Sequence, residues 1–321
     1  MSAARKVPPG FAPFDLSLLQ VDTVVDFDIH LWAVNSGVPV LYRNKDLPFL
    51  EEHRQRLLQS DSGQVLIRKD NVATFNRYIE RNLDRIIANP TLPTKAKAKI
   101  LYQTSLHLVQ DILEAPDAPE NFKRSEDVVR NTIGYILHGK DSFHQLMSLT
   151  SYDYYTYTHS VNVCTIGLAL AEQVGMRSQT ELMDFGVGAI FHDVGKTKIP
   201  SSILRKRGPL TDEEWAQMRR HPELGVSLLD PQAPFSADSL AVILEHHERL
   251  DGSGYPKGKK EGEIHSFAKV AAIVDCFDAL TTRRSYRDAV GSYPALKVMK
   301  GEVGSHFDSG YFSAFVRLLG K

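Results

Sequence analysis

Between His159 and Asp275 the chain carries five histidines and two aspartates whose surroundings are otherwise apolar. His159 lies in YTYTHSVNVCTIGLALAEQ, where Val161, Cys164, Leu168 and Ala171 are spaced to face a core. A lone histidine there would ordinarily be a satisfied core residue. The next segment counts against that reading, because FGVGAIFHDVGKTKIP ends an apolar run in His192-Asp193, with Gly195 as a stop signal and Lys196 just behind it. An ionised aspartate buried at the end of such a run is costly unless it is paired or bound to metal. His221 in RRHPELG, the pair His246-His247 in VILEHHE and Asp275 in AKVAAIVDCFDAL extend the set. Imidazole and carboxylate suit Fe, Mn, Zn and similar ions, and a shared carboxylate can bridge two of them. Five histidines and two aspartates are more than one ion needs, so the donors point to two divalent metal ions.

The stretch HHERLDGSGYP shows how two adjacent histidines could serve one centre. Neighbours on a helix point about 100° apart, so His246 and His247 can both reach a metal cluster only near a helix end, where the chain must turn sharply. Gly252 and Gly254 permit that turn and Pro256 stiffens its exit. Glu248 and Asp251 read as solvated or capping carboxylates, with Asp251 also placed to orient an imidazole or polarise the loop. The remaining histidines (His30, His53, His107, His138, His144, His265 and His306) lack partners at ligand spacing and read as surface or core residues.

Elements must hold these donors, and the pattern of the chain says which. At 321 residues it is long enough for about two domains. Val25–Val34 and Val38–Asn44, joined through Asn-Ser-Gly, predict a hairpin; PFLEEHRQRLLQS predicts a helix, and Gly63–Lys69 another strand. From Asn71 the spacing turns helical, Ala115–Glu120 reads as a loop, and after Ser125 no strand-like alternation of useful length returns. The expected organisation is an α+β N-terminal module over residues 1–90, a helical connector over 91–124, and an all-α domain over 125–321.

Lys plus Arg (38) balance Asp plus Glu (39) without a long run of either sign, which argues against a nucleic-acid polymer or a membrane surface as partner. No apolar run approaches the roughly 20 residues of a membrane span, and MSAARKVPPGFAPFDLSLL lacks the apolar core of a signal peptide. The two cysteines, Cys164 and Cys276, read as buried small hydrophobes in a reducing compartment, so a cytoplasmic protein is expected.

His159, HDVGK, HPELG, HHERLDGSGYP and VDCFDAL, in this order, resemble the HD superfamily of metal-dependent phosphohydrolases and its HD-GYP branch, over roughly Asp153 to Phe315. The resemblance implies an all-α HD-type helical domain that hydrolyses cyclic di-GMP, a bacterial second messenger, to linear pGpG or to GMP. It implies a centre of two or three metals, commonly iron or manganese. The implied ligands are His159, His192, Asp193, His221, His246, His247 and Asp275, with Asp193 as the bridge and Lys196 beside the scissile phosphate. Gly254, Tyr255 and Pro256 fall in the substrate region, and Arg284, Tyr286 and Arg287 match an RPYR-type segment in which Ser285 replaces the usual proline; a solvated basic face is the other reading of those three. Where some members place a third-metal glutamate, this chain has Tyr155, which favours a binuclear site. A non-catalytic cyclic di-GMP receptor and a hydrolase of another cyclic dinucleotide are the alternatives. The N-terminal module resembles the small domain often found ahead of HD-GYP domains; it is expected to regulate, through a homodimer or a signalling-protein partner.

Overall fold

The structure is a computed structural model that describes residues 7–33, 37–59, 64–139, 141–150, 156–282 and 289–320. The chain divides into two compact units, Met1–Lys97 and Ala98–Lys321.

The first unit is α+β. Strands β1 (Phe11–Phe14), β2 (Thr23–Val25), β3 (Ile29–Ala33), β4 (Val38–Arg43), β5 (Leu47–Phe49) and β6 (Val65–Arg68) form an antiparallel sheet of order β1-β6-β3-β4 and a separate antiparallel pair β2-β5. Helices α1 (Glu51–Gln59), α2 (Val72–Arg81) and α3 (Leu83–Ala88) complete it. The β3–β4 hairpin forms where expected, but Val25–Val34 is not one strand: β2 ends at Val25 and β3 begins at Ile29, with Phe27 buried between them. Phe27 meets Phe14, Phe75 and Tyr78 edge-on, and the Tyr78 hydroxyl accepts from the Gln20 amide at 2.8 Å. Tyr and Phe thus fill this core while the one polar tip is satisfied.

The second unit is helical: α4 (Thr94–Glu114), α5 (Glu120–His138), α6 (Ser142–Met147), α7 (Thr156–Gln173), α8 (Gln179–Phe191), α9 (Ser201–Leu204), α10 (Asp212–Met218), α11 (His221–Ser227), α12 (Ala237–Glu245), α13 (Ser266–Thr281), α14 (Ser292–Lys300) and α15 (Ser309–Leu319). α7 packs on α8 and α13, and α8 on α12 and α5. α7 is buried on all sides from Thr158 to Ala171, as expected of a helix with no polar face. α8 starts at a capping box, in which the Ser178 hydroxyl takes the Glu181 amide and the Glu181 carboxylate takes the Ser178 amide. Neither Cys164 nor Cys276 is in a disulfide; Cys164 is buried, but Cys276 is only half-buried, because it lies beside Asp275 on the side of α13 nearer solvent. Arg284, Ser285, Tyr286, Arg287 and Tyr155 lie outside the described residues.

Candidate metal centre

α8 ends at Phe191, and His192 is its C-terminal cap. The last carbonyls of a helix have no partner within it, and the His192 Nδ1–H fills that need by donating to Ala189 O at 2.7 Å. The same device recurs twice. His246 caps α12 and donates to Ile243 O at 3.0 Å, while His221 follows α10 and donates to Met218 O at 2.8 Å. A carbonyl oxygen can only accept, so each Nδ1 carries the proton and each Nε2 presents a lone pair. Burial lowers all three rings, His221 to about 3 and His246 well below its ordinary value, so they are neutral at pH 7.

These lone pairs converge. His192 Nε2 lies 3.2 Å from His159 Nε2, and His221 Nε2 lies 3.2 Å from His246 Nε2. Asp193 sits between the two pairs: its Oδ2 is 3.5 Å from His159 Nε2 and 3.6 Å from His192 Nε2, while its Oδ1 is 3.4 Å from His221 Nε2 and 3.9 Å from His246 Nε2. Asp275 Oδ1 is 2.9 Å from His159 Nε2, and its Oδ2 is 3.7 Å from His247 Nδ1. His247 is half-buried, and burial pushes its ring down to about 4. Burial alone would raise the Asp193 carboxyl, but the Lys196 ammonium, 2.5 Å from Oδ2, and the surrounding histidines hold it well below the usual carboxylate range. The His159 and His247 rings do the same for Asp275 against its burial.

This donor set fits divalent cations. Facing lone pairs at 3.2 Å repel unless a cation lies between them, and Asp193 Oδ1 is fully buried without a hydrogen-bond donor among the described residues. His221, His246 and His247 form one group of donor atoms, His159, His192 and Asp275 another, and His192, Asp193 and His246 lie across the middle. All seven residues expected as ligands are therefore brought together. Three of the other histidines have different partners: His53 contacts Arg43, His306 contacts Glu302, and His265 caps α13.

The turn after α12 closes over this cluster. Tyr255 lies against His247 with ring centroids 4.7 Å apart, and the Arg219 guanidinium lies over the same ring at 5.8 Å. Burial raises the Tyr255 hydroxyl above its ordinary value. Glu248 is not the solvated carboxylate expected of its position. It is 3% exposed and accepts the amides of Lys257 at 2.7 Å and Lys259 at 2.9 Å, which ties the far side of the turn to the end of α12. Asp251 is exposed to solvent, as expected, and its carboxylate accepts the Ser253 amide within the turn at 2.9 Å. Gly195 is not a helix stop, since α8 has already ended; a Cβ there would lie 1.9 Å from the His221 carbonyl oxygen, so its absence lets α11 approach.

Three further residues escaped notice in the sequence. The His159 Nδ1–H donates to Asp278 Oδ2 at 2.7 Å, Asn162 Nδ2 donates to Asp278 Oδ1 at 2.7 Å, and the Tyr102 hydroxyl donates to Asn162 Oδ1 at 2.9 Å. Asp278 follows Asp275 by three residues and Asn162 follows His159 by three, the spacing that puts two side chains on one helix face.

A family model described as HD domain matches residues 144–310. A cyclic di-GMP phosphodiesterase of Pseudomonas aeruginosa is 37% identical over 196 residues, 61% of this chain and 47% of that one. A cyclic di-GMP phosphodiesterase response regulator of Xanthomonas campestris is 40% identical over 149 residues, 46% of this chain and 39% of that one. The chain thus spans about half or less of the length of these curated relatives. The solved structure of Bd1817, an HDG"Y"P protein from Bdellovibrio bacteriovorus, shares the fold with a TM-score of 0.67 at 20% identity, covering 97% of this chain and 100% of that one. The chain belongs to the HD domain family, and Gly254-Tyr255-Pro256 beside His246-His247 resembles the HD-GYP branch.

Proposed function

We propose that this chain hydrolyses cyclic di-GMP, to linear pGpG or onward to GMP, at a centre of two divalent cations, iron or manganese. The observation that carries this reading is Asp193, which turns one oxygen toward His159 and His192 and the other toward His221 and His246. The names of the relatives supply the substrate. On this reading His159, His192, Asp275 and Asp193 would hold one cation, and His221, His246, His247 and Asp193 would hold the other. Bound cations of this kind polarise a phosphoryl oxygen and lower the pKa of water.

The protein's own groups do the rest. Lys196, partly open to solvent beside Asp193, offsets phosphate charge without serving as a ligand. Tyr255, in contact with His247 and Arg219, walls the site on the side of the turn, where Gly254 and Pro256 also belong to the substrate surface. Arg284, Tyr286 and Arg287 keep their expected role as substrate contacts. No described helix is long and apolar enough to cross a membrane, and cysteines outside any disulfide suit a reducing compartment, which favours the cytoplasm. We read residues 1–90 as a regulatory module, 91–124 as a connector and 125–321 as the catalytic domain. Exposed Val38, Val40 and Leu41 on the edge strand β4 suit docking by a second copy or a signalling protein.

The test is to load the purified chain with Mn(II) or Fe(II) without oxygen and to follow cyclic di-GMP by chromatography. Hydrolysis that requires the metal and vanishes in a folded, metal-depleted Asp193→Ala protein is expected. A metal-replete protein that binds cyclic di-GMP without cutting it would instead be a receptor, and faster cleavage of another cyclic dinucleotide would reassign the substrate.

A further inference from the structure

Three of the histidines in the centre owe their tautomer to a backbone carbonyl at a helix end. His159 cannot use that device. It lies inside α7, where main-chain carbonyls already accept amides one turn later. Its Nδ1–H is taken instead by Asp278, which is 2% exposed; Asp278 is held in turn by Asn162, fully buried, and Asn162 by Tyr102, 4% exposed. Each link has one sense. A carboxylate only accepts, so Asn162 must present its NH2 to Asp278 and its carbonyl to the Tyr102 hydroxyl. Three helices supply the chain of bonds, Tyr102 from α4, Asn162 from α7 and Asp278 from α13.

We propose that Asp278, oriented by Asn162 and Tyr102, is a positioning residue that fixes the proton of His159 on Nδ1 and so aims Nε2, with its lone pair, at the cation held on the His159 side of the centre. This rests on the two-cation reading above. A carboxylate partner also makes an imidazole a stronger donor, and losing such a partner typically lowers metal affinity by about 10–100-fold. The His221 side does not contact Asp278, so its affinity is expected to stay as it is.

The experiment titrates Mn(II) into chelator-stripped full-length protein and reads both binding stoichiometry and the Mn(II) electron paramagnetic resonance spectrum, with a thermal melt to show that each variant is folded. Wild type should take up two equivalents and give the spectrum of a coupled pair. Asp278→Asn should bind one equivalent as wild type does and the other at least about tenfold more weakly, giving an isolated-ion spectrum at intermediate Mn(II). Tyr102→Phe removes a single oxygen at the far end of the relay. It should weaken the same equivalent by less, and should have no added effect in the Asp278→Asn background, a non-additivity that a merely structural role would not produce. A folded Asp278→Asn protein that binds both equivalents like wild type overturns the proposal, as does a Tyr102→Phe effect undiminished in the double variant. If wild type itself fails to bind two equivalents, the two-cation reading falls and this inference with it.

Discussion

Gly254→Ala tests the turn that closes the centre, through backbone alone. A Cβ at Gly254 would lie 2.4 Å from Arg249 N, 2.5 Å from Glu248 Cα and 2.6 Å from His247 O. Non-bonded atoms prefer about 3.5–4.0 Å, and none of these three can swing aside as a side chain would. The turn must therefore retreat by about 1 Å. It is held by the Tyr255 amide on His247 O at 3.2 Å and by the two amides on Glu248, so retreat stretches all three bonds. Forcing an extra methyl group into a packed site costs about 1–3 kcal/mol. At about 2–4 °C per kcal/mol for a unit of this size, the melting temperature should fall by about 2–12 °C. The ring of Tyr255 moves with the turn, and a displacement of about 1 Å in an active site can cost about 100-fold in rate. Metal content should not change, because no ligand is carried on the turn. Thermal melts, elemental analysis and cyclic di-GMP turnover, run together, give the answer. Gly262→Ala is the control, with nothing within 4 Å of an added Cβ. A Gly254→Ala protein that melts and turns over like wild type would refute the reasoning.

Two other substitutions separate the turn from the chemistry. Glu248→Gln leaves one acceptor oxygen where two amides are bound and sets an NH2 against the other amide. Losing a bond to a charged group costs about 1.5–3 kcal/mol, so a lower melting temperature with both metals retained is expected, and an unchanged melt would count against the clamp. Lys196→Met keeps the stem but removes the charge beside Asp193. Both metals should stay bound, while turnover falls by the equivalent of about 2–4 kcal/mol, the range for one transition-state donor; near-normal turnover would remove Lys196 from the chemistry.

Of the seven converging donors, His192, Asp193, His246 and His247 were legible because they stand where an apolar helix ends, His159 and Asp275 because each is a polar group inside an apolar helix, and His221 through its HPELG motif. Glu248 was not, because its partners are backbone amides nine and eleven residues further on, which reach it only once the turn folds back. β1 and β5 were missed because four and three residues are too few for an alternation to show, and each carries a proline, Pro13 or Pro48, which strands hold at their sheets' edges. Both strands lie at edges. Val25–Val34 was overread because Asp26 and Asp28 alternate with apolar neighbours as a strand would, while the chain between β2 and β3 is free of either sheet.

Asp278 shows a different limit. Its spacing from Asp275 was visible, but the choice between a third ligand, a solvated group and a partner for His159 depends on which helix faces it, and α7 is more than a hundred residues away in sequence. The geometry resolves the choice through the ends of helices. Where a histidine follows a helix, an orphan carbonyl sets its tautomer at no cost in side chains, as at His192, His221 and His246. A histidine within a helix has no such carbonyl, so a centre that draws a ligand from within α7 must add a buried acceptor, and a buried carboxylate must in turn be given donors of its own. Asp278, Asn162 and Tyr102 follow from the placement of His159 by that requirement, which is why three residues that touch no cation belong to the same centre.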